Sequence, residues 1–188
     1  LRRFGAGPAR SERDAGAIEA FLSQALDDLA RERFGPEPLP AVRLQLDQAR
    51  LRLAFFARAQ AERAAAGWTI AAVEWAPPEG HRELDVDGRA VRVRGQIDRI
   101  DVNAAQGAWA LIDYKTGERA GDPRKAHRTK SGAWRDLQLP LYRWLVAPHE
   151  RALGLKGTPV LGYAALGKSE SEIGFRLAEW DADELAEG

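Results

Sequence analysis

Asp98, Asp113 and Lys115 are the residues whose types and spacing suit chemistry. Asp98 lies in Gly95-Gln96-Ile97-Asp98-Arg99-Ile100-Asp101, and the other two lie in Leu111-Ile112-Asp113-Tyr114-Lys115-Thr116-Gly117. Asn103 to Gly107 supplies the small, polar and glycine residues of a tight connection, so the two stretches read as an antiparallel hairpin with acidic ends. Side chains alternate along a strand, which puts Asp113 and Lys115 on one face and Tyr114 on the other. Two carboxylates and a lysine converging at the end of a hairpin suit a hard divalent cation with oxygen ligands. The lysine is then left to act on whatever the metal binds.

The elements around these residues must bring them together. Trp109 to Ile112 is apolar at consecutive positions, as in a central strand covered on both faces. Upstream, Val91, Val93 and Ile97 follow one parity, whereas Ile100 and Val102 follow the other. A bulge or bend is expected at that swap, where Asp98 sits. Asp87-Gly88 signals a two-residue hairpin joining a strand around Leu84 and Val86 to the one that carries Asp98. Thr69 to Trp75 is a further strand, terminated by Pro77-Pro78, with Glu74 near its end. A surface role explains Glu74 as well as catalysis does.

Two helices come first. One is capped around Ser11 and Asp14 and carries Ile18, Leu22, Ala25 and Leu29 at helical spacing as far as Gly35. The second opens at Pro40, carries Val42, Leu46, Ala49, Leu53 and Phe56 on one stripe, and ends at Gly67. Its arginines read as a solvated face. After the hairpin, Glu118 to Arg135 reads as an open, basic stretch, in which Arg119, Arg124, Lys125, Arg128, Lys130 and Arg135 outnumber the acids. Arg124, Lys125, Arg128 and Lys130 are candidates for holding phosphates, although a solvated loop explains any one of them equally well. Trp134 to Val146 reads as a helix in which Pro140 is tolerated in the first turn or at a kink. Gln138 and Tyr142, four residues apart, share a face. Strands are expected over Thr158 to Ala165 and Glu172 to Leu177, with a helix from Glu179.

Composition narrows the possibilities. The 188 residues suffice for one domain with a real core. With no cysteine, disulfides, zinc thiolates and iron–sulfur clusters are excluded within these residues. The three histidines are scattered without metal-ligand spacing. Lys and Arg number 28, as do Asp and Glu, so nucleic-acid binding would have to come from a local patch. No bilayer-spanning run and no signal-peptide pattern occur, and a cytoplasmic location is expected. Methionine is absent even at the start, so the chain reads as a piece of a larger protein. Lys115-Thr116-Gly117 matches one element of serine acyl-enzymes, but the required Ser-x-x-Lys is missing. Nucleotide-binding loops are also set aside.

The two hairpin motifs followed by Gln138-Leu139-Pro140-Leu141-Tyr142 resemble the RecB-type nuclease domain of the PD-(D/E)xK nuclease superfamily, the AddB/RecB-like nuclease module. That resemblance covers roughly Glu74 to Tyr142. It implies an α/β, restriction-endonuclease-like fold in which a mixed central sheet is flanked by helices, as one domain over residues 1–188. It also implies metal-dependent hydrolysis of DNA, as an exonuclease in recombination and double-strand break repair, with a helicase or helicase-like region as partner. Asp98, Asp113 and the Tyr114 main-chain carbonyl would hold Mg²⁺ or Mn²⁺. Lys115 would orient or deprotonate the attacking water or neutralise transition-state charge, while Gln138 and Tyr142 would line the site. An iron–sulfur cluster, present in several relatives, is not expected here. The family's metal-site histidine would lie just before Leu1, so a catalytically inactive DNA-binding or scaffold domain is the alternative.

Overall fold

A computed structural model describes residues 1–117, 121–178 and 180–186 of the chain. It has a mixed α/β architecture, with a five-stranded sheet in the order β1-β4-β5-β6-β7 and a separate two-stranded sheet of β2 and β3. The strands are β1 (Thr69–Trp75), β2 (Arg82–Val86), β3 (Arg89–Val93), β4 (Ile97–Asn103), β5 (Ala108–Lys115), β6 (Thr158–Leu166) and β7 (Ile173–Ala178). The helices are α1 (Arg2–Ala6), α2 (Ala15–Phe34), α3 (Pro40–Ala65), α4 (Pro123–His127), α5 (Gln138–Val146) and α6 (Ala182–Ala186). This is the restriction-endonuclease-like arrangement expected from the sequence. Arg119 of the basic stretch and Glu179, the expected start of the last helix, lie outside the described residues.

The chain divides into two compact units. One comprises residues 1–69, 114–117 and 164–175. Its helix α2 is capped by Asp14, whose carboxylate accepts from the Ala17 N–H at 2.8 Å, and it ends at Gly35. Arg50 of α3 bonds Asp27 of α2 at 2.6 Å, so part of the arginine-rich face ties the helix pair together. Phe56 of α3 is fully buried and packs on Tyr114 and Phe175, with ring centroids 6.4 and 5.9 Å away. Arg63 is stacked between Trp68 and Phe175, its guanidinium carbon 4.2 and 4.5 Å from the ring centres. Stacking lets the guanidinium be buried without leaving its charge in a purely aliphatic environment.

The second unit comprises residues 70–113, 121–163, 176–178 and 180–186. Its core gathers Ile97, Ile100, Trp109, Leu111, Leu139, Val146, Leu161 and Trp180. β5 is the central strand, and Trp109, Ala110, Leu111 and Ile112 are all fully buried, as their consecutive apolar character requires. β4 and β5 pair antiparallel from Arg99 opposite Ile112 to Asn103 opposite Ala108. Pro140 falls in the first turn of α5, where its missing N–H costs little.

The expected change of face falls inside β4, where Ile97 and Ile100, three residues apart, are both fully buried in the same core with Asp98 between them. β3 ends at Val93 in the small sheet, paired across the Asp87-Gly88 turn with β2, and β4 starts afresh at Ile97. Asp87 and Gly88 have φ of 53° and 75°, as a tight hairpin turn requires. Between the strands the chain passes close against α5: a Cβ at Gly95 would stand 2.5 Å from Leu145 Cδ1.

Arg99 and Asp101 occupy one face of β4, two residues apart, with 1% and 0% exposure. Their side chains form a bidentate pair at 2.6 and 2.8 Å. Removing one member strands the opposite charge in the interior. We therefore expect Asp101→Ala to lower the unfolding free energy by about 3–5 kcal/mol in urea titrations followed by circular dichroism. The double variant Arg99→Met/Asp101→Leu should recover much of that loss. Equal losses in the two proteins would contradict the assignment.

Candidate active site

The β4–β5 register decides where the two predicted metal ligands go. The pairing ends with Arg99 opposite Ile112, and Asp98 and Asp113 are the next residues outward on the two strands, at the open end of the hairpin. Directly opposed residues of an antiparallel pair project to the same side of the sheet. Ile100, Val102, Trp109 and Leu111 therefore share one face of the hairpin, and strand alternation adds Asp113 to it. Its inner part is the apolar core, and its end carries Asp113. Asp98 is partly exposed, while Asp113 is 5% exposed.

Helix α5 supplies the groups that hold Asp113. Gln138 Nε2 donates to Asp113 Oδ1 at 2.8 Å and also approaches the Tyr142 hydroxyl oxygen at 3.1 Å. The Tyr142 hydroxyl donates to the same carboxylate oxygen at 3.5 Å. The helical spacing of four puts both side chains on one face, as expected. Burial pushes the Tyr142 phenol up to about 12, against the hydrogen bond from Gln138; the Asp113 and Asp98 charges add to the rise. Both carboxylates thus act on one hydroxyl, an electrostatic sign that they converge. Sequence reasoning missed Asp136, whose Oδ1 accepts from the Gln138 main-chain N–H at 2.8 Å and fixes the start of α5. An acid just ahead of a helix start is a signal that could have found it.

Lys115 follows Asp113 by two residues on β5 and is partly exposed. Tyr114 turns its ring to the opposite face, against Phe56, so only its main chain is available to the acidic end. Two carboxylates and a main-chain carbonyl form a hard-oxygen donor set. That set fits Mg²⁺, which usually takes one or two carboxylates and completes its shell with water and phosphate oxygens. Among the described residues, no three His, Cys, Asp or Glu side chains gather as a metal cage. Glu74 therefore does not join Asp98 and Asp113 in such a cage. It sits in β1 with φ of 51°, an unusual backbone for a non-glycine residue, and its carbonyl accepts from Gln96 Nε2 at 3.1 Å.

The stretch expected to be open and loose is organised. Asp122 caps α4 by accepting from the Arg124 N–H at 2.9 Å, and Pro123 starts the helix. Arg128 and Trp134 form an isolated bridge, with the Arg128 guanidinium 4.4 Å from the indole centre. Arg124 bonds Glu184 at 3.0 Å, and Arg128 donates to the Glu184 carbonyl at 3.1 Å. Lys125 and Lys130 are exposed. Caps and aromatic stacking, rather than hydrophobic periodicity, order this segment, so alternation could not disclose it.

The exclusion of nucleotide-binding loops stands on structure and needs a correction in sequence. Gly162-Tyr163-Ala164-Ala165-Leu166-Gly167-Lys168-Ser169 does have the Gly-x-x-x-x-Gly-Lys-Ser spacing. Gly162 to Leu166, however, are strand β6, and a single 3₁₀ turn over Glu170–Glu172 follows instead of a helix. The glycines answer to packing: a Cβ at Gly162 would collide with the Arg176 carbonyl oxygen, and one at Gly167 with Glu172. The first unit also holds a cavity of about 980 Å³ whose lining mixes Leu and Ala of α2 and α3 with basic and amide side chains such as Arg2, Arg52, Lys168 and Gln48. It has no acidic lining residue and offers no acid–base pair.

Because its proton is held more tightly in the folded state, Tyr142 contributes stability below about pH 10 that is lost as pH rises towards 12. In an ultraviolet titration, subtracting Tyr142→Phe from the parent should reveal a phenolate that is still a minor species at pH 11. Half-ionisation by pH 10 would contradict the buried, carboxylate-facing placement.

A search of curated proteins found no match. A family model described as PD-(D/E)XK nuclease superfamily matches residues 1–186, which include the whole hairpin and α5. With that match over nearly its full length, and with the paired acids and lysine on the central hairpin, the chain belongs to the PD-(D/E)XK nuclease superfamily.

Proposed function

We propose that this domain hydrolyses DNA phosphodiesters with a bound divalent cation, Mg²⁺ or Mn²⁺. In this proposal it is the exonuclease module of a RecB- or AddB-like helicase–nuclease acting in recombination and double-strand break repair. The observation that supports the reading is that Asp98 and Asp113 end the paired part of the β4–β5 hairpin and both act on the Tyr142 hydroxyl, with Lys115 two residues beyond Asp113 on β5. The motif resemblance supports the finer assignments to DNA, to chain ends and to a helicase partner.

Asp98, Asp113 and the Tyr114 carbonyl would hold the cation. When bound, it supplies Lewis-acid stabilisation of phosphate charge and acidifies water. Lys115 then orients or deprotonates the attacking water, or offsets negative charge as the phosphorus becomes five-coordinate. Gln138 acts through Asp113: its bond to Oδ1 sets the orientation of the carboxylate. The Tyr142 phenol keeps its proton at physiological pH, so it serves as a donor beside the carboxylates. Lys125 and Lys130, with Arg124 and Arg128, would hold backbone phosphates. The Arg124–Glu184 pair is exposed enough that exchange for a phosphate costs little.

The test is cleavage of end-labelled single- and double-stranded DNA by the full-length protein with Mg²⁺ or Mn²⁺. Lys115→Ala and Asp113→Asn should each lower kcat by on the order of 10²–10³-fold, and a chelator should abolish cutting. A full-length protein that binds DNA and never cuts, with either metal, would replace this reading with that of a DNA-binding scaffold.

A further inference from the structure

We propose that His127 and Tyr163 are positioning residues for Gln138 and, through it, for the Asp113 carboxylate. The proposed reaction uses neither side chain, yet both are buried, His127 completely and Tyr163 to 3% exposure. A buried imidazole with both nitrogens committed sets an orientation, and what it orients can be followed bond by bond.

His127 Nδ1 lies 2.8 Å from the Asp136 carbonyl oxygen. A carbonyl only accepts, so Nδ1 carries the proton. Nε2 is then free to accept from the Tyr163 hydroxyl, 2.5 Å away. Burial raises the Tyr163 phenol well above its ordinary value, which keeps that donor protonated. The ring has little freedom to turn, since Trp180 stands edge-on to it at 5.8 Å and Trp134 packs on Trp180 at 5.3 Å. The main chain of His127 completes the clasp: its carbonyl accepts from the N–H groups of Arg135 and Asp136 at 2.8 and 3.3 Å.

Asp136 is thereby tied by main chain and imidazole, although its own side chain is half-exposed. Its Oδ1 accepts from the Gln138 N–H, and Gln138 Nε2 reaches Asp113 Oδ1, both at 2.8 Å. Leu137, the residue at the start of α5, has no side chain able to cap the helix. The angle at which Gln138 leaves the helix therefore depends on Asp136, and Asp136 depends on His127. The chain Tyr163, His127, Asp136, Gln138, Asp113 runs from β6 to its sheet neighbour β5. Outer groups that orient a ligand of this kind commonly affect activity by about 10- to 100-fold.

The experiment compares Tyr163→Phe, His127→Asn and His127→Leu with the parent, all in the full-length protein. Asn keeps a donor near the position of Nδ1, whereas Leu does not. The first readout is the side-chain amide of Gln138 by nuclear magnetic resonance, without metal or DNA. In Tyr163→Phe and His127→Leu its resonances should shift and its hydrogen exchange should quicken by about tenfold, with the Trp68 indole unchanged. His127→Asn, which keeps the donor to Asp136 but loses the bond from Tyr163, should fall between His127→Leu and the parent. The second readout, which rests on the nuclease reading, is kinetic: kcat should fall by about 10- to 100-fold with KM for DNA unchanged. A Gln138 amide unmoved in both Tyr163→Phe and His127→Leu would overturn the proposal, as would an Asn variant no better than the Leu variant. If His127→Leu fails to fold, Tyr163→Phe decides, since it removes a single oxygen. A shifted amide in a protein that cuts no DNA would support the positioning role and refute the nuclease reading.

Discussion

The pairing register of β4 on β5 is the constraint from which the candidate site follows. A slip of one residue would turn every side chain of one strand to the opposite face, sending Arg99 and Asp101 among Ile and Leu. Several features oppose that slip. The bidentate Arg99–Asp101 pair is fully enclosed on one face, and the Trp109 indole donates to the Gly157 carbonyl at 3.2 Å on the other. At the turn, Asn103 Oδ1 accepts from the Gln106 N–H at 3.2 Å, closing the hairpin at a set length. A shift would turn the Arg99–Asp101 pair as a unit out of its enclosure and would need a turn of different length from the one Asn103 closes.

With the register set, the two faces of β5 divide the work. One carries Trp109 and Leu111 into the core shared with Leu139 and Val146 of α5, then ends in Asp113 and Lys115. The other sends the Tyr114 ring to Phe56. The acidic end thus stands at the rim of an apolar floor, where Coulombic interactions are stronger than in water. The same surroundings raise the Tyr142 phenol and make a hydrogen-bonded orientation of Asp113 worthwhile.

Much of this was legible because it rests on short-range rules. The central strand showed in four consecutive apolar residues, the sharing of a face by Asp113 and Lys115 in strand alternation, and the pairing of Gln138 with Tyr142 in helical spacing. What stayed hidden depends on partners distant in sequence. That β3 ends in a separate sheet before β4 begins at Ile97 is one such feature, because parity alone does not tell which sheet a strand joins. The order of the basic stretch comes from an Asp122 cap and from Trp134 and Trp180 stacking, neither of which is periodic. His127 looked like a stray histidine, and its bonds to Asp136 and to Tyr163, 36 residues away, need the folded chain to be seen. The Gly162 to Ser169 spacing shows the converse, a familiar pattern emptied of its usual meaning by the strand that contains it.

The central proposal is that Asp98 and Asp113, at the open end of the hairpin, hold one cation with the Tyr114 main chain. Its most direct test is a crystal of the domain soaked in Mn²⁺ and measured at the manganese absorption edge. The account predicts a single anomalous peak bounded by the Asp98 and Asp113 carboxylates and the Tyr114 carbonyl, and no such peak in an Asp113→Asn crystal. Manganese bound elsewhere with these three groups bare, or a peak that survives Asp113→Asn, would contradict it.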